Sequence, residues 1–306
     1  QVARQRGRFP FVHVHAPPDF LAFSALPARW GGAGILLDIH DPTPELFAER
    51  FGEKQRFILA GAKLIERWST RAVHHVLVVN EQVRGCLIAR GIPPGKISII
   101  LNLPDERIFW RDSLPVSPSR PVLAYHGTLV PQFGPQVLLE AAALLIPEFP
   151  DLTVRILGDG DLKSQLLARA AQPDLAGRVE MSPDRVPVHR IPEELGAVTA
   201  GVVANRTQGF SRLVLPTKLL EYLALGIPAV ATKTDPIGHY FRPGELATVD
   251  GPDPAAIAAE LRTILRDPAG AAARVTKARR FFERHSWKHE RDSYVALVDR
   301  LSHRGR

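Results

Sequence analysis

The stretch VLPTKLLEYLALGIPAVAT, residues 214–232, decides the fold. An apolar run meets Pro216 and Thr217. Leu219, Leu220, Leu223 and Leu225 then recur at helical spacing, and Gly226 and Pro228 close the pattern before a short β-type run ending at Thr232. Proline favours the first helical position and glycine the position just past the last. The spacing therefore predicts a short helix from Pro216 to Leu225, starting at the mouth of a sheet. Such a tip offers unpaired N–H groups and a positive dipole end, where a phosphate can sit. Glu221, four residues on from Thr217, shares its helical face. It can accept hydrogen bonds from two vicinal hydroxyls, such as those of a ribose. Diphosphate at the tip with ribose beside it is the shape of a nucleotide sugar. The same residues also fit a plain capped helix with a solvated Lys218 and Glu221.

Outward from this segment, strand-like and helix-like runs alternate from residue 122 onward, which argues for a parallel α/β architecture. VLAYHG (122–127) is an apolar strand opening into a loop, followed by a helix over 135–146. LTVRILGDG (152–160) is a strand with a helix over 161–171 behind it. VVAN (202–205), AVAT and LATVD are further strands. Asp253 caps a helix whose first position is Pro254. Residues 270–302 read as helical with a break near Ser286. Strands at 11–15, 34–39, 74–79 and 97–101 give the first part a similar plan. The Pro/Ser-rich WRDSLPVSPSRP (110–121) reads as a linker.

The 306 residues allow two domains with real cores. No run reaches the ~18 apolar residues that span a bilayer, and no secretory signal is visible. The lone Cys86 excludes an intrachain disulfide and fits a cytoplasmic location; a small buried side chain is its expected role. A net charge of +7 points to an anionic partner or a membrane surface. No nucleic-acid-binding motif accompanies it. The basic residues 1–8 and the 54–71 segment, with Lys54, Arg56, Lys63, Arg67 and Arg71, are the candidate membrane-facing pieces. An ordinary amphipathic surface helix is the simpler expectation for the second.

PTKLLEYLALGIPAVAT resembles the donor-site signature of GT-B-fold retaining glycosyltransferases of glycosyltransferase family 4, in their PTK-type branch. FVHVHAPPD (11–19), GILLDIHD (34–41), ARGIPPGKISIILNLPDERIF (89–109), LAYHGTLVPQFGPQVLLEAAALL (123–145), VRILGDGDLKSQL (154–166) and HSWKHERDSYVALVDRL (285–301) resemble further family segments in the expected order. The resemblance implies an α/β chain of two Rossmann-like, doubly wound domains facing each other across a cleft. Residues 1–109 would be a partial acceptor-side domain, lacking about three strands and a glycine-rich loop before FVHVH. Residues 122–284 would be the nucleotide-sugar-binding domain, with the terminal helix (285–306) packing back on the first. The implied activity is transfer of a sugar, with retention, from a nucleoside diphosphate sugar to a glycan or lipid-linked acceptor, at or near the inner face of a membrane. No cofactor or metal is implied.

On the donor side the resemblance implies Gly127, Thr128, Gly158, Gly160, Arg206, Pro216, Thr217, Lys218 and Glu221. Glycines after strands let backbone approach a ligand, though two tight turns would use the same residues. The family's loop cations are replaced here by Thr128, Gln132 and Phe133, and Arg206 is the candidate to compensate. The first Glu of the family's Glu-x7-Glu pair is Leu213. His40, ending GILLDIH, matches a histidine near the reacting carbon and is the candidate catalytic residue. Asp41 reads as a turn residue, with Thr43 capping the helix that starts at Pro44. Asn102 matches a crossing-loop asparagine that fixes a turn. His13 and His15 share a strand face; a His-x-His can ligate metal, but no matching Asp/His set follows in the sequence. His74 and His75 fall on opposite faces and read as structural. A catalytically degenerate binding module remains an alternative, as does a GT-B epimerase or phosphorylase, though no pyridoxal-lysine motif is present.

Overall fold

The structure is a computed structural model that describes residues 9–51, 55–112 and 120–303. Residues 1–8, Lys54 and 113–119 of the linker segment lie outside the described residues. The chain divides into two compact units, Gln1–Asn102 with His285–Arg306, and Leu103–Arg284.

The first unit holds four parallel strands, β1 (Phe11–Ala16), β2 (Gly34–Ile39), β3 (His75–Val78) and β4 (Ile97–Ile99), ordered as in the sequence. β2 and β3 are buried almost throughout, as a parallel sheet covered on both faces requires. β4 stops at Ile99, short of the expected 101, because the Leu101 N–H leaves the ladder and donates to Glu290 Oε2 at 3.3 Å. His74 Nδ1 accepts from the Ile35 N–H at 2.9 Å and His75 Nε2 lies 2.8 Å from Ser98 Oγ, so both rings hold strands together. The long helix of this unit is α1 (Arg56–Ala72). The last helix, α4 (Trp287–Ser302), starts at Ser286, whose hydroxyl caps the His289 N–H. Its Leu297 and Leu301 pack with Leu36 and Leu77. A Cβ on Gly34 would lie 2.4 Å from the Leu301 carbonyl oxygen, so β2 needs glycine where this helix crosses it.

The second unit holds β5 (Val122–His126), β6 (Thr153–Leu157), β7 (Val179–Met181), β8 (Ala200–Val203), β9 (Ala229–Thr232) and β10 (Ala247–Val249). All pair in parallel, in the order β10-β9-β8-β5-β6-β7. This is a doubly wound order that reverses between β5 and β8, and ligands in such sheets bind at that switch point, outside the carboxyl ends. α2 (Pro135–Leu145) is apolar nearly all round and lies in the main core with Leu123, Val154, Val202 and Leu261. β8 ends two residues before the expected position because the Asn205 carbonyl turns to accept the Thr232 hydroxyl at 2.6 Å. β7, three residues at an edge, is too short to leave a periodicity in the sequence.

The deciding segment forms α3 (Thr217–Ala224), with Pro216 as N-cap rather than first helical residue. Pro216 is extended (φ −68°, ψ 120°), and its carbonyl receives the Leu219 N–H at 3.0 Å. Tyr222 anchors the helix. Its ring lies where a Cβ on Gly201 would be, 2.4 Å away, and its hydroxyl donates to the Ala124 carbonyl at 3.0 Å. Leu213, in the place of the family's first glutamate, is buried apolar core.

Candidate functional site

Two groups of chemistry-bearing side chains stand out, one in each unit. In the second unit, β5 delivers Tyr125 and His126 to its carboxyl end, and Gly127 (φ 120°) turns the chain there, in a conformation that favours glycine. Tyr125 donates from its hydroxyl to the Thr128 carbonyl at 2.7 Å and accepts from Lys218 Nζ at 2.7 Å. Lys218 Nζ sits 4.0 Å over the Tyr125 ring and 5.0 Å over that of Phe133. Desolvation pushes the Lys218 ammonium down to about 7, against the pull of Glu221. Burial pushes the Tyr125 phenol well up, so its proton stays on. The aromatic pair is a cation seat: Tyr125 and Phe133 both face the Lys218 ammonium.

His126 is buried, and its Nε2 is paired with Glu221 Oε2. The pair fixes the carboxylate beside the start of α3. His126 Nδ1 makes no hydrogen bond among the described residues. The Thr217 and Lys218 amides at the tip of α3 also have no partner there, and no side chain caps the helix. Two free amides, a cation of lowered basicity and an anchored carboxylate thus converge at the switch point, a donor set suited to an anionic ligand bearing vicinal hydroxyls.

Gly158 and Gly160 are held to glycine by the packing of backbone on backbone. A Cβ on Gly158 would meet the Gly127 carbonyl oxygen at 1.9 Å, and one on Gly160 the Leu129 carbonyl oxygen at 2.6 Å. They let the turn after β6 interlock with the turn after β5, through Gly127 N–H to Leu157 O and Leu129 N–H to Asp159 O, both 2.9 Å. The Gly158 N–H donates to Ser182 Oγ at 3.0 Å. That serine helps line a cleft of ≈ 460 Å³ with Leu157, Asp184, Arg185 and Val186. Exposed Arg206 is tied to the same loop by its backbone, N–H to the Gln132 carbonyl at 2.9 Å, and its guanidinium makes no ion pair among the described residues. Sequence reasoning missed His126 and Tyr125. The strand motif VLAYHG placed both, but nothing in it revealed their partners on α3.

In the first unit, His40 lies just past β2, its N–H donating to the Ala16 carbonyl at 3.2 Å. Its Nε2 is 3.1 Å from His15 Nδ1 and 3.3 Å from Asp38 Oδ2. The parallel register sets His13 beside Leu36 and His15 beside Asp38, and the His13 and His15 rings stack at 4.2 Å. Asp38 is the carboxylate that the sequence alone did not connect to the His-x-His pair. Desolvation, with His13 and His40 nearby, holds the His15 imidazole below its ordinary value, opposed by Asp38. Thr43 is the first residue of its helix (Thr43–Phe51), not its cap. Its hydroxyl is buried and donates to Asp19 Oδ1 at 3.0 Å. Burial raises the Asp41 carboxyl, and exposed Asn102 lies three residues past the end of β4, beside buried Leu101.

A doubly wound parallel sheet with this donor set at its switch point makes the second unit a Rossmann-like α/β fold. Residues 106–281 match Glycosyl transferases group 1 and residues 1–106 match Glycosyltransferase Family 4. The chain belongs to the group 1 glycosyl transferases. The D-inositol 3-phosphate glycosyltransferase of Rhodococcus jostii is 28% identical over 268 residues, covering 83% of this chain and 55% of the relative. That of Corynebacterium urealyticum is 32% identical over 198 residues, covering 62% and 46%. The chain spans about half the length of the curated relatives it matches. Among solved structures, Anabaena Alr3699/HepE in complex with UDP superposes with a TM-score of 0.76 at 16% identity, over 97% of this chain and 80% of that one. Sucrose-phosphate synthase of Thermosynechococcus elongatus gives 0.74 at 17% identity, over 98% and 75%. At these identities the likeness is one of fold.

Proposed function

We propose that the chain acts as a glycosyltransferase that takes a sugar from a nucleoside diphosphate sugar and passes it, with retention, to a glycan or lipid-linked acceptor. The observation that supports this most is Glu221, clamped by buried His126 beside the uncapped start of α3. The Thr217 and Lys218 amides would take the diphosphate, Glu221 the ribose hydroxyls, and Arg206 part of the leaving-group charge. Lys218, its basicity lowered by desolvation, would regain full charge against a phosphate. In a front-face substitution the bond from anomeric carbon to diphosphate oxygen breaks as the acceptor oxygen bonds the same face. The diphosphate takes the acceptor proton. His40 is assigned to the sugar or the acceptor through the family resemblance.

Glu221→Ala should weaken UDP or GDP binding by at least tenfold in calorimetry, since hydrogen bonds to a charged group contribute roughly 1.5–3 kcal/mol each. Unchanged affinity would remove Glu221 from the ribose role. The degenerate-module reading draws on Thr128, Gln132 and Phe133 standing where the family has cations, and any turnover of a sugar nucleotide in an acceptor screen would eliminate it.

We also propose a peripheral membrane contact through α1. No helix among the described residues is long and apolar enough to cross a bilayer. What supports the contact over an ordinary amphipathic surface helix is the orientation of α1: its buried residues are Ala62, Glu66, Ser69 and Thr70, while Phe57, Leu64 and Trp68 form an outward stripe. Phe57 is 94% exposed, and Arg56, Lys63, Arg67 and Arg71 run alongside. An apolar stripe flanked by cations suits an anionic lipid surface on the cytoplasmic side. The double substitution Phe57→Ser and Trp68→Ser should cut binding to phosphatidylglycerol-containing vesicles at least tenfold in co-sedimentation. Equal sedimentation would sink the idea.

A further inference from the structure

The cluster on the first unit's sheet is more than a set of hydrogen bonds. Three ring nitrogens surround one oxygen, Asp38 Oδ2: His13 Nε2 at 3.2 Å, His15 Nδ1 at 3.4 Å and His40 Nε2 at 3.3 Å. A carboxylate oxygen has two lone pairs, so three donors cannot all be accommodated there. The separations are also long for charge-assisted hydrogen bonds, which run at about 2.7–2.9 Å. His15 Nδ1 and His40 Nε2 lie 3.1 Å apart while both face the same oxygen. If each donates to Asp38, they have no bond to each other; if one donates to the other, it gives up Asp38.

A cation among them removes the conflict, because each nitrogen and the oxygen can then present a lone pair to it. The spacing agrees. Zinc–nitrogen bonds of about 2.0–2.1 Å arranged tetrahedrally put neighbouring ligand atoms roughly 3.3–3.4 Å apart. The candidate ligand atoms of His13, His15 and Asp38 all lie within 4.8 Å of one another. An outer partner is in place as well: His13 Nδ1 is 2.9 Å from the Tyr294 hydroxyl on α4. A metal-bound histidine characteristically uses its other nitrogen this way, which fixes the tautomer that leaves Nε2 bare.

We propose that His13 Nε2, His15 Nδ1 and the Asp38 carboxylate form a site for a divalent first-row transition metal, zinc being the type ion, with its fourth position turned toward His40. Imidazole with one carboxylate selects zinc, cobalt or nickel over magnesium and calcium. One two-strand register supplies all three ligands, so the sheet holds their backbones in place before any metal arrives. It stands on the first unit alone and does not depend on the sugar-transfer reading.

The test is zinc chloride titrated into the chelator-stripped chain, followed by calorimetry and by equilibrium dialysis. One zinc per chain is expected. His15→Ala should weaken it at least tenfold, and His13→Ala with His15→Ala should abolish stoichiometric binding. Tyr294→Phe should weaken it roughly tenfold, as loss of an outer partner does. His15 is 63% exposed, so its replacement leaves the core untouched if His13→Ala does not fold. Cobalt(II) should give the visible bands of a four-coordinate ion in the wild type and lose them in His15→Ala. Zinc held equally well by wild type and His15→Ala, or no saturable zinc binding at all, would overturn the site. Neither result bears on Glu221 or nucleotide binding.

Discussion

Replacing Arg90 with methionine is expected to destabilise the chain by about 3–5 kcal/mol, the usual cost of removing one partner from a buried ion pair. Arg90 donates through Nη1 to Glu66 Oε2 at 2.6 Å, and its Nη2 is paired with Glu45. Glu66 is 1% exposed, and its second oxygen has no partner among the described residues. Desolvation pushes the Glu66 carboxyl up to about 7, with Arg90 pulling it back down. Asp19, also buried, is raised to about 6, chiefly by desolvation. An acid whose folded value lies above its unfolded one stabilises the fold fully below the unfolded value, near 4.5 here. That contribution is lost as pH rises through about 7. Without Arg90 the carboxyl climbs further, so the deficit of Arg90→Met should grow between pH 5 and pH 8. Urea denaturation across that range measures it. A deficit under about 1 kcal/mol at every pH would mean that the pair behaves as a solvated surface bridge.

Gly158→Ala should be nearly as costly and should also silence the nucleotide site. The new methyl would lie 1.9 Å from the Gly127 carbonyl oxygen, a backbone atom that cannot swing away. Relief requires the two turns to part, breaking the 2.9 Å bonds that join Gly127 to Leu157 and Leu129 to Asp159. Overpacking costs typically 1–3 kcal/mol, and each buried amide left unpaired adds about 1–3 kcal/mol, so a loss of at least about 3 kcal/mol is expected. Thr128 is carried on that turn, and with it the Tyr125–Lys218 link, so nucleoside diphosphate binding should fall in parallel. Gly251→Ala is the control, because a Cβ there meets nothing within 4 Å. Thermal melting with and without UDP reads both quantities; equal melting of the two variants would contradict the interlock.

These cases mark what the sequence could and could not reveal. The helix at 217–224 and the strands beside it were legible because proline, glycine and leucine spacing are local signals. His126 was not, since its meaning comes from a partner 95 positions away. Asp38 joined His13 and His15 only through the strand register, which a periodicity of two leaves undetermined. The interlock made by Gly158 and Gly160 was not legible, because a glycine that makes room for backbone looks the same in sequence as one that makes room for substrate. In α1 the periodic pattern was visible, but it does not say which side faces inward; the polar Glu66 went in to meet Arg90, and the aromatic residues went out.

The crossing of α4 over Gly34 bears on the order of events at the ribosome. One compact unit is built from a continuous segment, Leu103–Arg284, while the other takes its final helix from the last stretch of the chain. Nascent domains generally mature as whole units while translation proceeds. The continuous segment carries all of its own core, whereas Leu36 and Leu77 on β2 and β3 are roofed by residues 287–302, on the far side of that segment in the sequence. The first unit is therefore completed only by residues that follow the whole of the second in the sequence.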